Sequence, residues 1–99
     1  MGGFQHRFEW DEPKNQINRK KHDLGFETAI LVFDDPNCLM FPERIEEGEE
    51  RWHAIGAIHG VMIVTVVHTY RTEGMEEVIR IISARFATPR ERSQYVETL

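Results

Sequence analysis

Two neighbouring segments rich in Val, Ile and Thr constrain the fold of this chain more than any other feature. They span residues 61–71 and 76–86, and both carry apolar side chains at odd and even positions. Such segments are typical of central β-strands that are buried on both faces. Residues 51–58 precede them, and His59-Gly60 between the first two segments favours a tight hairpin turn. The sequence therefore predicts three consecutive strands, with a shorter one before them at residues 37–41.

Helix signals lie on both sides of these strands. Residues 4–10 predict a short strand or an extended lead-in, after which an acidic N-cap and Pro13 begin a helix over residues 13–22. Residues 26–33 have the apolar spacing of a second helix, and residues 88–91 form a capping box that begins a last one. The order predicts an α+β fold: two N-terminal helices, a mostly antiparallel sheet of about four strands, and a C-terminal helix.

Length and composition limit the class of protein. With 99 residues, we expect a single domain over residues 1–99. An apolar content of 40% favours a folded globule. No stretch approaches the roughly 20 apolar residues that cross a bilayer, and the first residues lack the features of a signal peptide. With Cys38 as the lone cysteine, an internal disulfide is excluded, and we expect a cytoplasmic protein without membrane contact.

Charge is distributed unevenly along the chain. The net charge is −5, yet the basic residues concentrate in residues 13–22, which hold no acid, and in residues 80–92. Residues 43–50 between them carry five glutamates and one arginine. We interpret that run as a solvated loop that repels RNA from the wrong face or receives a basic partner. A fold that brings the two basic segments together would present a cationic surface suited to phosphate or another polyanion.

The same segments resemble a known family. FEWDEPKNQINRKKH, FETAILVFDDP, EGEERWHAIG and RIISARFATPRERSQYVE are similar to the BrnT family, toxins of bacterial BrnT–BrnA toxin–antitoxin modules, over roughly residues 8–97. The resemblance implies a small RelE-like fold and a metal-independent ribonuclease, without cofactors, that halts growth. Asp23 stands where the family usually has glycine, and Phe86 where a basic residue is common.

Partners follow from the same resemblance. It implies a dimeric ribbon-helix-helix antitoxin of the BrnA type in a 2:2 heterotetramer. That complex would bind its DNA operator through the antitoxin alone. A net charge of −5 on this chain fits poorly with unaided DNA binding, which needs several phosphate contacts.

Metal-independent RNA cleavage needs a base, an acid and cations, which His, Lys and Arg supply at neutral pH. His22 at the end of the basic helix is a candidate acid, base or phosphate contact, and the resemblance supports this role. Lys20 and Lys21 are its companions, with Lys21 in the catalytic set and Lys20 as an RNA contact. The alternatives are a histidine that satisfies helix-end carbonyls and a solvated lysine face.

Arg80 and Arg85 are the main candidates for phosphate contact. An arginine among Val and Ile is costly to bury unless it is paired, which favours a position facing a cleft; the alternative is an ion pair with a glutamate. In a regular strand the two positions point to opposite faces, so one site needs a β-bulge between them or Arg85 beyond the strand end. Ser83 either donates to a phosphate oxygen or is a packed serine.

Arg90 and Tyr95 complete the predicted RNA contacts, with Tyr95 either stacking on a base or anchoring the last helix. His68 is favoured as a core histidine, whereas His53 and His59 have no evident partner. Their spacing does not match a zinc site, so no metal is predicted. Two functions remain: an RNA endonuclease, or a catalytically weak or inactive toxin-fold module that acts as co-repressor through antitoxin binding.

Overall fold

One mixed β-sheet forms the centre of the molecule, in the strand order β1-β5-β4-β3-β2. The structure, a computed structural model, describes residues 5–99 and all of their side chains except those of residues 5 and 44–46. The α+β class is confirmed. Along the chain the elements are β1 (Gln5–Glu9), α1 (Glu12–His22), α2 (Phe26–Ala29), a 3-10 helix (Ile30–Asp34), β2 (Leu39–Glu46), β3 (Glu49–Ile58), β4 (Met62–Glu73), β5 (Glu76–Phe86) and α3 (Pro89–Glu97).

The expected count of about four strands is wrong, because β1 adds a fifth. It pairs in parallel with β5, from Gln5 opposite Glu76 to Glu9 opposite Arg80, whereas the other three pairings are antiparallel. A five-residue segment has too little pattern to predict its own pairing, since its strand geometry depends on the distant edge that it joins. Phe4, at the start of the predicted segment, lies outside the described residues.

The interpretation of residues 43–50 as a loop is also wrong. They form the ends of β2 and β3 and the turn between them, where Glu47 and Gly48 both have positive φ, 52° and 78°. That pair is the signature of a two-residue hairpin turn, and His59-Gly60 repeats it between β3 and β4, at 55° and 69°. The glutamates suit the edge strand β2, because charge on a sheet edge discourages pairing with another chain.

The helices follow their capping signals closely. Asp11 caps α1 by accepting from the Lys14 N–H at 3.2 Å, and the predicted capping box of α3 is present. The predicted second helix is a single α-turn followed by a 3-10 helix, whose Val32 backbone packs directly on β3. A Cβ on Gly56 would lie 3.0 Å from the Val32 carbonyl oxygen, so the glycine allows this close approach.

The hydrophobic core lies between these N-terminal helices and one face of the sheet, the helix face. Its fully buried members on the strands include Ala54, Val64, Val66 and Ala84, and Phe26 is the largest buried side chain from the helices. The last helix, α3, packs near the end of the opposite face. None of the helices in the described part of the chain has the length and apolar character to cross a bilayer.

Candidate active site

A β-bulge in β5 decides which side chains share a face of the sheet. The pairing of β5 with β4 runs from Ile81 opposite His68 directly to Ser83 opposite Val67, so Ile82 is an extra residue. Before and after it, Arg80 pairs with Thr69 and Arg85 pairs with Thr65. Because cross-strand partners share a face, the bulge places Arg80, Ser83 and Arg85 on the same side. This is the condition under which both arginines could belong to one site.

We call this side the open face; it carries Arg80, Ser83 and Arg85 from β5, Val67 from β4 and His53 from β3. The His53–Val67 and Val67–Ser83 pairings place His53, Val67 and Ser83 in one row across the sheet. Core residues such as Ala84 point the other way. The row is partly accessible, since Val67, Ser83 and His53 are all of intermediate exposure.

Arg80 is paired with a carboxylate. Its Nη1 donates to Glu9 Oε2 at 3.0 Å, and Arg71 binds both oxygens of Glu9 at 2.7 and 3.0 Å. Hydrogen bonds from Arg71 and Arg80 outweigh the effect of burial and lower the pKa of Glu9 to about 2. The Arg80 side chain nevertheless remains 41% exposed, and its other N–H groups can reach a ligand.

Arg85 makes the tighter pair. It holds both oxygens of Glu91 through Nη1 and Nη2, at 2.6 and 2.9 Å, and the Thr65 hydroxyl also donates to Glu91. Burial alone would raise the pKa of Glu91, but these bonds and one from the Thr88 N–H lower it to about 2. The same contact attaches α3 to the open face, so Arg85 serves the fold as well as any ligand.

Helix α1 reaches the open face at the edge of β5. Beyond Arg80 the edge has passed the end of β1, and there Asn18 takes the place of a strand. Its amide donates to the Ala84 carbonyl at 2.8 Å and accepts from the Ala84 N–H at 3.3 Å, and it also donates to the Leu24 carbonyl at 2.9 Å. A helix with few apolar residues is thus held against the sheet by satisfied polar groups.

This docking brings part of the predicted site together. Between α1 and β5 lies an open depression of about 200 Å³. Its lining residues are Lys14, Ile17, Asn18, Lys21, His22, Ile82 and Ser83. The depression therefore joins Lys21 and His22 to Ser83, which is one residue row away from both arginines.

Other predicted contacts lie elsewhere. Lys20 is exposed on α1 but is not part of the depression, and Arg90 is exposed in the first turn of α3. Tyr95 is only 5% exposed and donates its hydroxyl to Asp35 at 2.5 Å. The geometry therefore favours Tyr95 as the anchor of α3 and leaves its ring unavailable for stacking.

Asp23, which stands where the family usually has glycine, occupies the C-terminal cap of α1. It caps α1 in the left-handed conformation, with φ 57°, and its N–H donates to the Arg19 carbonyl at 2.9 Å. Glycine adopts this conformation without strain, and Asp is among the few other residues that tolerate it. The difference from the family pattern at this position is therefore compatible with the same helix ending.

Sequence reasoning missed the partner of His53. Its Nε2 lies 3.3 Å from Glu43 Oε2, and its ring lies against Phe41, with centroids 5.3 Å apart. Glu43 is itself the extra residue of a second bulge, because the β2–β3 pairing runs from Pro42 directly to Arg44. Glu47-Gly48 indicates a hairpin that pairs β2 with β3, but the contact also depends on the bulge at Glu43, for which the sequence has no signal.

The remaining histidines occupy structural positions. His68 is fully buried between Phe33 and Tyr70, as favoured from the sequence, and His59 lies in the β3–β4 turn. His6 lies 3.2 Å from Glu77 at the β1 edge. Among the side chains that the structure describes, no group of three or more His, Cys, Asp or Glu is placed to hold a metal ion.

Fold and site together define a class: a small α+β protein that gathers Arg, Lys, His and Ser side chains on one sheet face and its edge. The family model of the ribonuclease toxin BrnT of type II toxin–antitoxin systems matches residues 10–91. The chain belongs to this family, which confirms the resemblance found in the sequence.

A solved structure agrees with this assignment. The chain is similar to the Brucella abortus ribonuclease toxin BrnT, whose crystal structure was determined at 1.1 Å resolution. The two share 30% sequence identity and superpose with a TM-score of 0.63, over 85% of this chain and 97% of the other. No curated protein sequence gives a significant match.

Proposed function

We propose that this chain is an endoribonuclease toxin with a RelE-like arrangement that cleaves RNA without a metal ion and thereby inhibits translation and growth. Family membership supports a ribonuclease. The observation that carries the proposal for this chain is the bulge at Ile82, which gathers Arg80, Ser83 and Arg85 on the open face. The depression beside it adds Lys21 and His22.

These side chains match what the reaction requires. The ribose 2′-OH must lose a proton, the phosphorus must carry extra negative charge, and the leaving 5′ oxygen must gain a proton. Arg80 and Arg85 bind the phosphate with planar forks, with Ser83 as a further donor. Lys21 and His22 supply proton transfer or charge from the α1 side, and Lys20 and Arg90 extend RNA binding. Cleavage leaves a 2′,3′-cyclic phosphate or a 3′-phosphate.

The proposal includes its partner. A BrnA-like ribbon-helix-helix antitoxin covers the cationic open face, in a 2:2 complex that binds an operator through the antitoxin. Both proteins act in the cytoplasm. Neutralisation by covering the site explains why a growth-inhibiting enzyme is tolerated by the cell that makes it.

A second candidate has one specific observation in its favour. Both arginines are already bound to carboxylates of the same chain, Arg80 to Glu9 and Arg85 to Glu91. A module that binds antitoxin as co-repressor, with little or no catalysis, would use such pairs only to hold its fold.

Cleavage by antitoxin-free protein decides between the two. Total cellular RNA is incubated in EDTA with the wild type, with Arg80→Ala and with Arg7→Ala. Arg7 is a matched control, because its side chain is 42% exposed and bonds mainly to Glu73 and Glu76, at 2.8 and 3.0 Å; it lies in the middle of β1, with Glu9 at the longer distance of 3.7 Å. We expect the wild type and Arg7→Ala to cleave RNA, and we expect the cleavage rate of Arg80→Ala to fall about 100-fold or more.

The other outcomes are equally informative. Unchanged cleavage by Arg80→Ala would keep the enzyme and reject this phosphate site. If folded wild-type protein leaves RNA intact, even with ribosomes added, the result favours the co-repressor function. Thermal melting of each variant separates a lost contact from a lost fold.

A further inference from the structure

The open face holds a carboxylate that the predicted site does not include. Glu43 is the extra residue of the β2 bulge, and its side chain contacts His53 at 3.3 Å on this face. Two bulges, at Glu43 and at Ile82, therefore shape the same face from opposite edges of the sheet. Bulges often redirect a side chain next to an active site.

We propose that Glu43 is the general base of RNA cleavage and that His53 is the residue that positions it. This inference rests on the proposed ribonuclease function and assigns one of its two proton-transfer roles. It places the base on β2, at the opposite end of the His53–Val67–Ser83 row from Lys21 and His22.

The contacts of His53 explain why Glu43 is the reactive partner of the pair. His53 is only 14% exposed, and its Nδ1 is buried with no hydrogen-bond partner among the described residues. Its proton is therefore best placed on Nε2, which donates to Glu43. The Glu43 side chain is 33% exposed, and its Oε2 is the oxygen held by the imidazole. A largely covered histidine, in contact with the Phe41 ring, thus orients an accessible carboxylate.

The charges around Glu43 suit a base that works next to phosphate. The pKa of Arg85 is raised mainly by its bonds with Glu91 and also by the charge of Glu43, so the two side chains lie within electrostatic reach. Among the described side chains, the charged groups of the open face are Arg51 from β3, which alternates with His53, Arg85 from β5 with Glu91 from α3, and further along the sheet Arg80 and Arg71 with Glu9. A phosphate bound at Arg85 therefore has a carboxylate beside it that can accept a proton.

The spacing also suits an in-line reaction. Neighbouring strands lie about 4.8 Å apart, so the row from His53 through Val67 to Ser83 is about 10 Å wide. A phosphodiester placed over Val67 has Glu43 on one side and the depression of α1 on the other. An in-line displacement requires the base and the acid on such opposite sides.

The step balances as a transesterification. Glu43 takes the proton of the ribose 2′-OH while the bond from the 2′ oxygen to phosphorus forms. The bond from phosphorus to the 5′ oxygen breaks with its electron pair, and that oxygen takes a proton from the α1 side, where His22 and Lys21 lie. The product is a 2′,3′-cyclic phosphate, and Arg85 stabilises the charge that develops on phosphorus.

Substitution of Glu43 tests the assignment. The wild type, Glu43→Gln and the matched control Glu50→Gln, an exposed glutamate of the same hairpin, are assayed for cleavage in EDTA. Affinity is measured with RNA that is 2′-O-methylated and cannot react. We expect Glu43→Gln to lose about 100-fold or more in cleavage rate while it binds the inert RNA at least as well as the wild type. Glu50→Gln retains both.

Substitution of His53 separates positioning from packing. His53→Gln keeps an N–H donor toward Glu43, whereas His53→Leu removes it at similar volume. The acidic limb of the pH profile of kcat/KM reports the base in the free enzyme. We expect this limb to shift in His53→Leu, to stay close to its wild-type position in His53→Gln, and to vanish from the residual activity of Glu43→Gln.

Two results would overturn the inference in distinguishable ways. If the wild type cleaves and folded Glu43→Gln cleaves equally, the ribonuclease stands and the base is another group. If the folded wild type does not cleave RNA at all, the proposed function fails and this assignment fails with it.

Discussion

His68 is a residue whose protonation the fold changes strongly. It is fully buried, with its ring against Phe33 and Tyr70, and its Nδ1 lies 3.3 Å from the Val66 carbonyl. Burial lowers the pKa of His68 to about 4, with a smaller contribution from the charge of His53. The protonated form is therefore confined to the unfolded chain over most of the mildly acidic range.

The lowered pKa of His68 predicts how the free energy of unfolding depends on pH. Between pH 6.5 and about 4 the unfolded state binds a proton at His68 that the folded state excludes, so stability falls as pH falls through this window. The loss amounts to roughly 3 kcal/mol, at about 1.4 kcal/mol per pKa unit. Urea unfolding of His68→Leu at several pH values should show a flatter dependence in this window, with His59→Asn, an exposed turn position, as control. An unchanged slope would contradict the assignment.

Single residues also show what a sequence can and cannot predict about the site. Arg80 and Arg85 were identifiable, because a charged side chain among Val and Ile needs either a partner or a cleft. In the structure each arginine is paired with a glutamate. Whether both can also bind one phosphate depends on the bulge at Ile82, which no local sequence pattern indicates. The Glu43–His53 contact was not predictable for the same reason, since it depends on how β2 aligns with β3.

At the scale of elements, the central strands and the capped helices were predictable, whereas the pairing and the bounds of the edge strands were not. Strands β4 and β5 have a continuous apolar pattern, and α1 and α3 have capping residues that act within four positions. Strands β1 and β2 are short or charged, and each becomes a strand by pairing with a neighbour. The sequence indicated a strand or lead-in over residues 4–10 and a short strand over residues 37–41, but it did not predict the parallel pairing of β1 or the extension of β2 to Glu46, which depend on contacts with the neighbouring strands.

The docking of α1 gives the element-scale prediction. Asn18→Ala raises the intrinsic helix propensity of α1, yet it removes three buried hydrogen bonds to Ala84 and Leu24. We expect a net loss of about 2–4 kcal/mol in the free energy of unfolding, because buried partners are left unsatisfied. Cleavage should fall as well, since Lys21 and His22 lose their place beside Ser83.

Urea unfolding and amide hydrogen exchange in α1 measure this effect. Gln16→Ala, at an exposed position of the same helix, is the control and should change stability by less than about 0.5 kcal/mol. If Asn18→Ala were as stable as the wild type, the helix would be held by its other contacts instead.

At the scale of the whole molecule, the local distribution of charge, and not the net charge, decides where RNA could bind. The protein carries −5 overall, but screening limits each exposed charge to a reach of about 8 Å at physiological salt. The exposed glutamates around the β2–β3 turn, Glu47, Glu49 and Glu50, therefore repel RNA locally, at the end of the hairpin beyond Glu43. If RNA binds as proposed, the cations of α1 and β5 attract it on the other side of the open face, and a polyanion is oriented before it is bound.

Salt dependence of RNA binding tests this arrangement. Each phosphate neutralised on a single strand contributes about −0.7 to the slope of log K against log salt concentration. Arg80 and Arg85 are already neutralised by Glu9 and Glu91, so they release few counterions. Lys20, Lys21 and Arg90 remain, and they predict a slope of about −2 with 2′-O-methylated RNA. Lys20→Ala should reduce the slope by about 0.7, whereas Glu9→Gln should steepen it by freeing Arg80 and Arg71; a slope near zero for the wild type would contradict a cationic RNA surface.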